Sequence, residues 1–113
     1  LNLEEQLTDE IQSQLENDIL YFAWMVQIAK SQRPDRSELE CTHAVLESIL
    51  KLHNERTIIV GNAYESNGKV YISAWSETNE GLRERLKSEI AKHSDPLEQS
   101  FCFWIQLSLH HTE

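Results

Sequence analysis

The sequence predicts an α+β domain in the order α-α-β-β-α-β, with a three-stranded, mainly antiparallel sheet and the helices packed on one of its faces. Three observations predict it. Apolar residues recur at helical spacing through the first half, an Asn67-Gly68 pair separates two runs rich in β-branched and aromatic residues, and the last run alternates strictly in polarity. A chain of 113 residues can bury one core without disulfide or metal support, so residues 1–113 read as a single domain.

Each element has its own signal. Leu3, Leu7, Ile11 and Leu15 recur every four residues, and Ile19, Phe22, Val26 and Ala29 continue the pattern. This spacing predicts one long helix ending before Pro34, with Thr8, Asp9 and Glu10 suited to a first turn. A second helix is expected from Ser37 to about Asn54, because Ser37 and Glu40 form a Ser-x-x-Glu capping box ahead of the stripe Leu39, Val45, Leu46, Ile49 and Leu50. The short link between them predicts an antiparallel helix pair.

Thr57 to Tyr64 and Lys69 to Trp75 are the two arms of a hairpin, since Asn-Gly supplies both positive φ angles of a type I′ turn. That turn fixes the register: Tyr64 opposite Tyr71, Asn62 opposite Ser73, Val60 opposite Trp75. A third helix follows within residues 77–96, with Thr78 or Asn79 as its cap, Leu82, Leu86 and Ile90 as its buried stripe and Pro96 at its exit. The chain then runs through Phe101 to Leu109, with Phe101, Phe103, Ile105, Leu107 and Leu109 on one side and Cys102, Trp104, Gln106 and Ser108 on the other.

In a three-stranded sheet the hairpin arms stay adjacent, so the last strand is expected at an edge. It carries no charge, Pro or Gly, the usual protections of such an edge, so something must cover it: the N-terminal segment or a partner strand. The reading favours a homodimer through this strand or through the aromatic sheet face. The small face of the hairpin, with Ile59, Gly61, Ala63, Val70, Ile72 and Ala74, is assigned to the helices. Tyr64, Tyr71 and Trp75 then point away, joined by Asn62, Ser73, Trp104 and Gln106, and these seven residues are the candidate binding face.

The formal net charge is −9, and no Lys or Arg precedes Lys30. Such a field repels phosphate backbones and anionic lipid and would steer a basic protein partner, so nucleic acid and membrane are not expected as ligands. No apolar run is long enough to span a bilayer, and Cys41 and Cys102 read as reduced thiols of a cytoplasmic protein.

The search for chemistry yields little. Glu40 and His43 have the Glu-x-x-His spacing of di-iron helices but no second copy exists, and three glycines leave no room for a phosphate-cradling loop. Cys102 sits in an apolar strand as an inert hydrophobe would, and His53 and His93 read as helix C-terminal residues. No catalytic residue, metal site or cofactor is expected. The leading expectation is a non-enzymatic, acidic protein-interaction module of the inhibitor, immunity, antitoxin or chaperone type. Its alternatives are a small-molecule-binding or sensory dimer using the aromatic face, and an enzyme with an unrecognised site.

Overall fold

The computed structural model describes residues 2–108 and is an α+β structure of five helices and one antiparallel sheet. The expected final residue of the last strand, Leu109, and the pair His110-His111 lie outside the described residues.

The expected first helix is two helices. α1 spans Leu3–Leu15, capped by the Asn2 side chain, which accepts the Glu5 N–H at 2.9 Å. Thr8 is therefore not in a first turn: it is buried in mid-helix, where its hydroxyl donates to the Glu4 carbonyl at 2.7 Å and accepts from the Ser48 hydroxyl, 2.9 Å away. The helix stops at Glu16, and the Asp18 carboxylate then accepts the Ile19 N–H, a local bond that competes with helix continuation. Leu20–Tyr21 form a two-residue strand, β1, before α2 resumes over Phe22–Gln32.

α3 covers Glu38–Asn54 with both halves of the Ser37/Glu40 capping box in place, as the sequence predicts. β2 (Ile58–Ser66) and β3 (Lys69–Ala74) form the hairpin, with Asn67 and Gly68 at positive φ. The predicted register holds at Tyr64–Tyr71 and Asn62–Ser73, and the Trp75 N–H donates to the Val60 carbonyl at 2.8 Å. α4 (Asn79–Lys92) has Thr78 as its N-cap residue. Pro96 ends that segment but also starts a short helix, α5 (Pro96–Ser100), so the last strand, β4, is only Trp104–Leu107.

The sheet has four strands, not three, in the order β1-β4-β2-β3. β4 is interior. Leu20 pairs with Ile105 and Tyr21 with Trp104 on one side, Ile58 with Leu107 and Val60 with Ile105 on the other. The N-terminal chain thus covers the strand expected at an open edge, and the Phe22 N–H adds a bond to the Phe103 carbonyl. The sheet ends at the two-residue β1 on one side and at β3 on the other.

The faces are also inverted from expectation. Ile58 and Val60 of β2, Ile105 of β4, and Phe103 just before it are buried in the same cluster as Leu7, Ile11, Met25, Ile49 and Leu86 from the helices. Residues that pair across an antiparallel ladder share a face, so Trp75, Asn62, Tyr64, Ser73 and Tyr71 lie on this helix-packed side. Ile59, Gly61, Ala63, Val70, Ile72 and Ala74 occupy the opposite side with Trp104 and Gln106. At the root of β2, Ile58 and Val60 are buried on the helix side, while Ile59 between them stays half-buried on the other.

Candidate functional site

The seven candidate residues do not form one surface. On the helix side, the helices cover only the root of the hairpin. Trp75 is half-buried there: its indole N–H donates to the Asn62 amide oxygen at 2.9 Å, its ring meets Phe103 edge-on with centroids 6.2 Å apart, and the Arg85 guanidinium lies 4.2 Å above it. Arg85 is itself held by Glu77 at 2.8 Å and Glu89 at 3.1 Å. Asn62 and Trp75 are thus spent on each other and on the base of the hairpin.

Further out, Tyr64 and Tyr71 emerge past the helices and stack on each other with centroids 5.6 Å apart, 52% and 42% exposed. Ser73 is exposed between them and Trp75.

Trp104 and Gln106 sit across the sheet, in different company. Trp104 lies 5.1 Å from the Tyr21 ring and 5.8 Å from Phe101, which itself lies 4.7 Å from Tyr21. This three-ring cluster was hidden in the sequence. Tyr21 was read as helical, and strict alternation placed Phe101 on the core side, whereas it ends α5 and is 44% exposed. Ile59, Ala63 and Ile72, all half-buried, and Val70, half-exposed, extend the same face. Val70 and Gln106 of this face also line an open groove of about 420 Å³, with Leu15, Asp18, Ile19 and Leu107. Neither β2 nor β4 contributes any residue of this face to the core cluster. Among the described residues it is an apolar, aromatic sheet face without a helix layer over it.

Several titratable groups are engaged in structure. Glu47 forms a two-pronged ion pair with Arg83, which joins α3 to α4 and holds the Glu47 carboxyl below the usual carboxylate range. Glu40 is likewise lowered, first by the Ser37 backbone N–H and then by Arg36, so it is engaged in the helix cap. Burial lowers the His53 pKa, which favours the neutral ring over a charged partner for the α3 dipole. Cys41 and Cys102 are both buried free thiols, and burial pushes the Cys102 thiol up to about 12, far from a nucleophilic thiolate at neutral pH. Among the described residues no three His, Cys, Asp or Glu side chains converge in a way that could hold a metal ion, and no helix is long and apolar enough to cross a membrane.

Comparison with known proteins adds no kinship: no protein-family model, curated protein or solved structure matches the chain.

Proposed function

We propose that the chain is a non-enzymatic protein-interaction module, of the inhibitor, immunity, antitoxin or chaperone type, that engages a basic partner. The observation that carries this reading is the Tyr21, Phe101 and Trp104 cluster on an uncovered sheet face. Aromatic rings supply buried area at an interface with little rotamer entropy to lose, and the apolar neighbours Val70 and Ile72 supply the water-excluding surround. A charge of −9 adds long-range steering toward a cationic surface and disfavours phosphate ligands. The buried, high-pKa Cys102 and the paired carboxylates Glu40, Glu47 and Glu77 support the non-enzymatic half of the reading, because none is poised for proton transfer or attack.

Affinity purification from the native source, with mass spectrometry, tests it. A bound protein of basic charge is expected to be retained by the unaltered chain, weakened by salt, and lost from Phe101→Ala and Trp104→Ala. A weakening of at least about tenfold is expected from each, as for a central aromatic anchor. Retention that ignores both substitutions and salt would sink the reading.

A second reading, a small-molecule-binding module, has its own support. A cleft of about 410 Å³ between α2, α3, α4 and α5 has Phe22, Val26, Ile90 and Pro96 among its apolar lining, with Lys30 and Thr42 among its polar lining residues. In this form the ligand does not use the hairpin aromatics. A metabolite that raises the melting temperature in a concentration-dependent way, and fails to do so in Val26→Trp, would establish it over the first reading.

A further inference from the structure

The outer edge of β3 carries a second, separate interaction feature. β3 is the terminal strand of the sheet, six residues long, and among the described residues no strand pairs with its outer side. The Trp75 N–H points inward to the Val60 carbonyl, and hydrogen-bonded pairs alternate along an antiparallel ladder. Lys69, Tyr71 and Ser73 therefore turn their backbone groups toward β2, while Val70, Ile72 and Ala74 turn their N–H and C=O groups outward.

This edge has none of the usual protections. Between Val70 and Ala74 there is no charge, proline or glycine, and the ladder keeps one register from Gly61–Ala74 to Ser66–Lys69 without a bulge. Lys69, at one end, is its sole charged residue.

The geometry points to a second copy of this chain as the occupant, pairing β3 with β3 antiparallel about a two-fold axis at Ile72. A two-fold perpendicular to the sheet keeps the helix-packed faces on one side and requires paired residues to come from the same face. With the axis at Ile72, Val70 lies opposite Ala74 of the second copy, Tyr71 opposite Ser73, and Ile72 opposite itself. Large residues meet small ones on both faces. All three outward residues of each copy are then in hydrogen-bonded pairs, giving about six backbone hydrogen bonds, whereas an axis at Tyr71 or Ser73 leaves about four. Lys69 falls opposite Trp75, two residues from Glu77 of the second copy, so unlike charges approach at both ends and no like charges face each other across the edge. The result is a continuous eight-stranded sheet whose uncovered apolar faces join into one surface.

This inference is independent of a basic partner, and salt separates the two. Each copy carries −9, so screening favours self-pairing, whereas it weakens attraction to a cationic protein. Analytical ultracentrifugation of the purified chain at tens of micromolar is expected to give twice the chain mass, with the dimer fraction rising between about 0.05 M and about 0.5 M salt. Ile72→Lys, which sets like charges against each other on the axis, is expected to give the monomer mass with an unchanged circular-dichroism spectrum. Ile72→Cys is expected to oxidise to a cross-linked dimer. Lys69→Cys, opposite Trp75, is expected not to, and the native thiols are buried. A monomer throughout the salt range, or a dimer indifferent to Ile72→Lys that cross-links equally at Lys69→Cys, overturns the proposal. A monomer that still retains a partner overturns self-pairing alone and leaves the interaction-module reading standing.

Discussion

Gly61→Ala is expected to destabilise the protein by at least about 3 kcal/mol, and so to lower its melting temperature by about 10–20 °C. A methyl group at this position would lie 1.9 Å from the Ser73 carbonyl oxygen, 2.7 Å from the Ser73 carbonyl carbon and 3.0 Å from the Ala74 Cα. All three are backbone atoms of the neighbouring strand. They cannot rotate away as a side chain can, so relief requires β2 and β3 to part. Gly61 is also the crossing point of the sheet, paired with Ala74 on one side and Trp104 on the other, and the strain would reach both ladders. Urea unfolding followed by tryptophan fluorescence measures the loss. A change under about 1 kcal/mol would mean that β2 and β3 do not approach this closely in solution. Gly68, by contrast, has open space around it, and its demand is for the positive φ of the turn.

Phe103→Ala is expected to cost about 3–5 kcal/mol, the range for removing a fully buried phenyl ring. Phe103 has no exposed surface, and it touches Phe22 at the start of α2, at 5.1 Å, and Trp75 at the end of the hairpin, at 6.2 Å. Its carbonyl also receives the Phe22 N–H, so the ring and the backbone of one residue tie α2 to the sheet. Phe101→Ala is the internal control. Two positions away and 44% exposed, it is expected to cost under about 1 kcal/mol. Equal losses at the two positions would contradict the break in the strand between them.

Phe101 and Phe103 also show what can and cannot be read from this sequence. Alternation put both on one buried face, since each obeys the same period in the text. Only Phe103 does so in space, because Pro96 and the Asp95 cap start a helical turn that uses Phe101 as its exit. What was legible was local. The type I′ turn, the register it imposes and the Ser37 capping box depend on residues within a few positions of one another.

What was not legible depends on distant partners. The pattern from Leu3 to Ala29 is helical on both sides of Leu20 and Tyr21, and these two residues are extended because β4 offers them hydrogen bonds. The choice of sheet face likewise rests on where the helices land. Ile58 and Val60 share a face with Tyr64 and Tyr71, and assigning the small, aliphatic face to the helices sends this face to the wrong side. Five of the candidate residues stayed together, while Gln106 lies on the opposite face and Trp104 belongs there to a cluster whose other members, Tyr21 and Phe101, carried no signal of their own.

The interior position of β4 sets chain order against spatial order. β1 and β2 touch through β4 and have no ladder with each other, yet β4 is the last of the four strands to be made. During synthesis, three strands and all five described helices exist before the piece that joins them, and β1 has nothing to pair with until then. Closing the sheet brings together segments from near the two ends of the described chain, so the entropy of a loop almost as long as the domain falls on one late step. Until that step the inner edge of β2 is as open as the outer edge of β3, and the newborn hairpin has two sides on which a neighbouring chain could settle.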